Sequence, residues 1–233
     1  MIQKADSTMN LQRIKGLISQ YKKWLISPSK FDHLYLWESV EYFQKHFNLE
    51  EGDLAHNFDL ALQNSSSKRL WTMEAKFPKE MMIAFMKMDA EMVRWTFKDL
   101  YRKENSLDGR LNRFQFHCDE MYAVWKKQHP KDLHLGHYHD ADHWMACVYL
   151  FLNYPDQFAP YDLSTLQNLL SYVEAKNIPQ SEDPERFFKV LKVLDKFISD
   201  DEELQDLIYS RLSDKHFKGK TLIPAYECAL LAK

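Results

Sequence analysis

The feature that most restricts the fold is an uninterrupted apolar run over residues 144–152, which reads WMACVYLFL. This run of nine residues is too short to cross a bilayer, since a membrane-spanning helix needs about 20 apolar residues. It is typical instead of an element that is buried on all sides. Its second half is also compatible with a buried strand, but its continuity with the preceding residues favours a helix. We therefore predict a central buried helix over about residues 141–153, ended by Pro155.

The chain has few residues that break helices. Only 5 of its 233 residues are glycine and 8 are proline, which favours long helices with short connections over a turn-rich β fold. Apolar residues recur every three or four positions, as in amphipathic helices. The predicted helices lie at about residues 8–26, 32–47, 162–175, 184–199 and 201–213, and others begin near Asp53, Pro78, Asp89 and Leu107.

These patterns predict an all-α fold, with about ten helices packed around the central one. We expect a single domain over residues 1–233. The polar residues 1–10 predict a flexible N-terminus, and the serine-rich loop at 64–68 is where a subdomain joint would lie.

Net charge and cysteine content indicate which class of protein the chain belongs to. The net charge is -3 and the pI about 6.4, whereas a DNA-binding domain is usually basic because it must neutralise phosphates. Cys118, Cys147 and Cys228 form no C-x-x-C pair, so we expect reduced thiols. The first ten residues lack the apolar segment of a signal peptide. We therefore predict a cytoplasmic protein.

A cluster of histidines precedes the apolar run and is the best candidate for chemistry. The cluster consists of the five histidines between residues 129 and 143 and the two aspartates closest to the apolar run: His129, His134, His137, His139, His143, Asp140 and Asp142. His139 and His143 are four residues apart, a spacing that can place two imidazoles on one helical face for zinc. A metal site built on His137, His139, Asp140 and His143 would make the protein a small metal-dependent hydrolase. The alternative is that these residues cap the central helix and form buried hydrogen bonds, and we favour it because no H-E-x-x-H motif is present.

A second candidate site is a region rich in cations and aromatics. Its candidate nucleic-acid-binding residues are Arg69, Trp71, Lys79, Arg94, Lys98 and Arg102. Cations beside exposed aromatics suit single strands or flipped bases. The alternative is a solvated helix face with its tryptophans in the core, because acidic residues dilute the patch. Nucleotide binding is not expected: Gly219, Lys220 and Thr221 match the end of a phosphate loop, but Asp214 stands where the motif needs its first glycine.

A series of short motifs follows one order through most of the chain. The central stretch contributes His137-Tyr138, the run Val148-Tyr149-Leu150-Phe151-Leu152 and Tyr154-Pro155. The other motifs are Leu36-Trp37-Glu38, Phe43-Gln44, Phe77-Pro78-Lys79, Val93-Arg94, Phe97, Asp99-Leu100, Arg110 and Phe114. Together they resemble the helical domain at the N-terminus of AAA+ ATPases similar to the McrB motor subunit of modification-dependent restriction systems. The resemblance covers about residues 18–231, and His139 and His143 fall outside its pattern.

The resemblance implies a sensing or recognition module in bacterial defence, which works with an AAA+ motor and a nuclease subunit. It carries over no catalytic residue, no cofactor and no Walker A motif. We therefore expect a non-catalytic recognition or adaptor domain that binds DNA or a protein partner. The metal-dependent hydrolase, with zinc or another divalent metal, and a purely structural oligomerisation domain are the alternatives.

Overall fold

Eleven α-helices and two short 3-10 helices make up the described part of the chain in a computed structural model, which covers residues 9–64, 66–71, 77–133, 135–140 and 143–233. The helices are α1 (Leu11–Leu25), α2 (Leu34–His46), α3 (Leu54–Ala61), α4 (Pro78–Met88), α5 (Ala90–Tyr101), α6 (Leu107–Gln128), α7 (Trp144–Asn153), α8 (Leu163–Tyr172), α9 (Pro184–Ser199), α10 (Glu202–Ser210) and α11 (Ile223–Ala229). The 3-10 helices are Pro28–Phe31 and Ser67–Leu70. No strand occurs in these ranges, so the all-α prediction is confirmed.

Polar side chains fix the starts of most helices. The capping residues are Asn10, Asp53, Asp89, Ser106, Asp162, Asp183 and Asp201, and each accepts a hydrogen bond from a backbone N–H in the first turn. These side chains satisfy N–H groups that have no partner within the helix. The sequence predictions that Asp53 caps a helix and that Asp89 begins one are thereby confirmed.

The central helix is α7, as the apolar run predicted. Residues 145–152 are at most 3% exposed, because α7 packs against α2, α5 and α6 at once. The predicted start was wrong: α7 begins at Trp144, and His143 before it has left-handed backbone angles (φ 53°) that cannot continue a helix. Residues 141–142 lie outside the described ranges.

The helix α11 is also buried in the core. All seven residues of α11 are buried, since α11 packs against α1, α8 and α9. Buried residues from Ile14 to Ala232 belong to one hydrophobic cluster, which includes the three cysteines as free thiols. No helix in the described residues is both long enough and apolar enough to span a membrane. The predicted flexible N-terminus falls mostly on residues 1–8, which lie outside the described ranges.

Candidate functional site

The loop before α7 places two histidines in the interior. His137 is 2% exposed and His139 is 1% exposed, while Tyr138 between them has a left-handed φ of 62°. This conformation costs a non-glycine residue about 1 kcal/mol, and such strain occurs most often at functional sites. The loop is therefore held in an unfavourable conformation that keeps both imidazoles buried.

Hydrogen bonds determine which nitrogens of the two histidines carry a proton. The His139 backbone N–H donates to Nδ1 of His137 over 3.1 Å, so Nε2 of His137 carries the proton that it donates to Asp119 Oδ1 over 2.9 Å. Nδ1 of His139 donates to the carbonyl oxygen of His137 over 2.5 Å, and Tyr149 Oη donates to Nε2 of His139 over 3.0 Å. Nδ1 of His137 and Nε2 of His139 are therefore hydrogen-bond acceptors, and the chain of bonds leads from the exposed Asp119 to the buried Tyr149.

Cys118 completes a group that we call the histidine–thiol cluster: Cys118, His137 and His139. One potential ligand atom from each of the three buried residues lies within 4.8 Å of the others. Burial lowers the pKa of His139 to about 3 and raises the pKa of the Cys118 thiol well above its usual value. Both of these groups are thus uncharged at neutral pH, and the donors of the cluster are of the soft type that zinc prefers.

The structure places only two of the four predicted metal ligands together. It brings His137 and His139 together, but Asp140 is exposed and His143 Nε2 lies 3.4 Å from Glu182 Oε2. The idea that His139 and His143 share a helical face was wrong, because both residues precede the first residue of α7. His134 and Asp142 lie outside the described residues.

Cys118 was missed as a ligand from sequence. It lies 19 residues before His137 and occupies an apolar position of α6, so its spacing is that of an ordinary core residue. Asp119 was missed for a similar reason, since it reads as one of many surface carboxylates. Only the packing of the loop against α6 brings these residues together.

A second buried polar group, the Glu227 network, ties three helices together. Glu227 of α11 forms a fully buried ion pair with Arg211, accepts a hydrogen bond from Tyr21 Oη over 2.5 Å and accepts another from Trp37 Nε1 over 3.4 Å. Arg211 also donates to the carbonyl oxygen of Lys30 over 2.8 Å. With this many partners the carboxylate is well satisfied, which is what a structural role requires.

Three of the predicted nucleic-acid-binding residues are engaged within the fold. The Arg94 side chain is largely buried and donates to the carbonyl oxygens of Leu49 and Glu51. Trp71 is a core residue. Lys79 pairs with Asp59 over 2.6 Å and is mostly covered.

The other three predicted residues lie at the surface. Arg69 stacks over the Tyr35 ring at 4.0 Å, and Lys98 pairs with Glu50 over 2.8 Å. The Arg102 side chain is exposed. The nucleic-acid prediction is not tested by these positions, but its accessible cations are Arg69, Lys98 and Arg102.

Two neighbouring helices expose large aromatic side chains. Trp95 of α5 is 50% exposed and Phe116 of α6 is 56% exposed. The His117 ring lies between them, 4.7 Å from the Trp95 ring and 5.3 Å from the Phe116 ring. We call these three residues the Trp95 surface. Arg113, which pairs with Asp99 over 2.7 Å, lies one turn before His117.

A shallow groove of about 350 Å³ lies where α1, α9 and α10 meet. Its lining residues are Lys15, Ile18, Ser19, Lys22, Phe197 and Asp201. Lys22 pairs with Asp201 and Glu203, each over 2.8 Å, and these hydrogen bonds raise its pKa. Lys22 and Asp201 in the groove are thus paired with each other, and the lining residues form no arrangement of nucleophile and base.

Comparison with known proteins assigns no family. No protein-family model matches the chain, and searches of curated proteins and of solved structures find no match. The resemblance to the N-terminal domain of McrB-like ATPases therefore rests on the sequence motifs and stays a prediction.

Proposed function

We propose that this chain is a non-catalytic recognition or adaptor domain of a McrB-like bacterial defence system, and that it binds a protein partner through the Trp95 surface. The observation that carries the proposal is the exposure of Trp95 on α5 and Phe116 on α6, whose rings both contact the ring of His117. Aromatic residues are enriched in protein interfaces, and exposed apolar patches mark interaction sites.

A non-catalytic role agrees with the burial of the chemically reactive groups. A catalytic group must reach its substrate, usually in an open cleft. The Arg211 and Glu227 side chains are fully buried, and His137, His139 and Cys118 are almost completely buried. In the described ranges, the clustered titratable side chains therefore act within the fold.

A protein partner agrees better than DNA with the charges near the Trp95 surface. The charged residues close to it in α5 and α6 include the exposed Glu91, Glu120 and Lys98 and the half-buried Arg113. Arg113 and Lys98 are each paired with a carboxylate. A surface of mixed charge releases few counterions on binding DNA, which weakens the main source of DNA affinity.

The proposal is tested with the purified AAA+ motor and nuclease subunits encoded next to this chain's own reading frame. We expect one of them to bind the chain, and we expect Trp95→Ala with Phe116→Ala to weaken that binding by about tenfold or more, as loss of two aromatic anchors does. The matched control is Ile26→Ala with Phe31→Ala, which removes exposed apolar side chains elsewhere on the molecule. Equal affinities for both double variants, or neighbouring genes that encode no motor, would overturn the proposal.

A second experiment tests whether the partner is DNA or a protein. Binding to modified and unmodified duplexes is measured at two salt concentrations for the wild type, Lys98→Ala and Arg102→Ala. We expect no specific binding. Tight binding that falls steeply with salt and is lost in these variants would make DNA the ligand and would contradict the protein-partner proposal.

A further inference from the structure

We propose that the histidine–thiol cluster is a structural zinc site, with Cys118, His137 and His139 as protein ligands. A thiolate and two imidazoles form a donor set that zinc prefers. The three residues come from α6 and from the loop before α7, so a bound ion would fasten that loop to the helix.

The separation of the ligand atoms suits a single ion. In tetrahedral zinc sites the metal–ligand distances of about 2.0–2.3 Å place neighbouring ligand atoms roughly 3.3–3.8 Å apart. The ligand atoms of the cluster all lie within 4.8 Å of one another. Zinc binding therefore requires the ligand atoms to move closer together by up to about 1.5 Å, the difference between these separations.

The existing hydrogen bonds resemble the outer partners of metal-bound histidines. A metal-bound histidine commonly donates its other ring N–H to a carboxylate or a backbone carbonyl. Nε2 of His137 donates to Asp119, and Nδ1 of His139 donates to the carbonyl oxygen of His137. These bonds leave Nδ1 of His137 and Nε2 of His139 with the lone pairs that can bind a metal.

Zinc binding would break two of the present hydrogen bonds of the cluster. Nδ1 of His137 would lose the hydrogen bond from the His139 N–H, and Nε2 of His139 would lose the one from Tyr149. Tyr149 Oη lies 3.0 Å from Nε2 of His139 and is an oxygen donor close to these ligands. The Cys118 Sγ–H bond breaks as the Sγ–zinc bond forms, and the proton leaves to solvent, so the charge of the site rises by one unit.

The burial of the cluster favours a structural over a catalytic ion. A catalytic zinc keeps one position open to water and substrate, whereas a structural zinc is closed. Cys118, His137 and His139 are all buried, so the described structure offers the site no open face. This inference does not depend on the partner proposed above.

The test uses the full chain without a histidine tag, produced with zinc in the medium. We expect one zinc per chain by elemental analysis, and we expect Co²⁺ substitution to give the absorption band of a thiolate-bound cobalt ion. Cys118→Ala should lose both signals. Cys147→Ala, which removes an equally buried thiol on α7, should keep them.

A second variant separates metal binding from folding. Asp119→Asn alters an exposed residue that supports His137, and we expect zinc affinity in a chelator competition to fall by about 10–100-fold while circular dichroism stays unchanged. Zinc-free wild-type protein with no cobalt–thiolate band would overturn the proposal. So would equal loss of zinc in Cys118→Ala and Cys147→Ala.

Discussion

Burial decides the protonation of individual residues in this protein, and His33 shows it outside the proposed zinc site. Its ring stacks on Trp24 with centroids 5.0 Å apart, and burial lowers its pKa below the usual value. Neighbouring charges act in both directions: Glu227 and Asp32 raise this pKa, while Arg211 and Arg69 lower it. The folded protein therefore holds His33 neutral at pH values where the unfolded chain is protonated.

This lowered pKa predicts a loss of stability in acid. Between the folded and unfolded pKa values of His33, the unfolded state binds more protons than the folded state. The contribution of His33 to the free energy of unfolding is therefore fully present above about pH 6.5 and decreases as the pH falls through that value. We expect denaturant unfolding of His33→Phe, which keeps an aromatic ring against Trp24, to depend less on pH than that of the wild type between neutral and mildly acidic pH. Parallel pH profiles for the two proteins would show that His33 does not contribute.

Local sequence signals predict most of the helices, and the helix caps show which boundaries those signals give correctly. The apolar spacing and the aspartates at Asp53, Asp89, Asp183 and Asp201 gave most helix positions correctly. The start of α7 was missed because His143 adopts a left-handed conformation that no local pattern indicates. The burial of α7, by contrast, was predicted directly from the apolar run.

The central position of α7 predicts a large effect of truncating one of its side chains. Leu150 is completely buried, so Leu150→Ala should lower the free energy of unfolding by about 2–5 kcal/mol through lost apolar contacts and the cavity left behind. Leu135 is 95% exposed, so Leu135→Ala should leave the free energy of unfolding nearly unchanged. Denaturant titrations measure both changes, and similar values for the two variants would contradict the assignment of α7 as the core helix.

At the scale of the whole molecule, the Glu227 network joins the beginning and the end of the chain. Tyr21 in α1 and Glu227 in α11 are 206 residues apart in sequence and share a buried hydrogen bond. Arg211 and Trp37 bring two further segments to the same carboxylate. Residues on both sides of the serine-rich loop at 64–68 belong to one core, and the network links α1, α2 and α11 within it.

Removal of the charge at this position is therefore expected to be costly. Glu227→Gln leaves the fully buried Arg211 without its counter-charge, and we expect a loss of about 3–5 kcal/mol in the free energy of unfolding. Asp214→Asn breaks the exposed pair with Lys218 and should not measurably change stability. If chemical denaturation gave the two variants equal stability, the network would have no structural role.

Local sequence by itself determined the helical class, most helix positions and the burial of the central apolar run. These properties depend on residues that are close in sequence, through periodic side-chain directions and capping. It also identified His137 and His139 as candidates for chemistry.

Only the tertiary structure joined Cys118 to these histidines, paired Arg211 with Glu227, and left Trp95 and Phe116 at the surface. It also showed that Arg94 lies largely buried against backbone carbonyls. These outcomes depend on which helix faces meet and how the loops cross them. Contacts between segments that are distant in sequence determine which helix faces meet and how the loops cross them. Neither the composition nor the spacing of residues along the chain indicates these contacts.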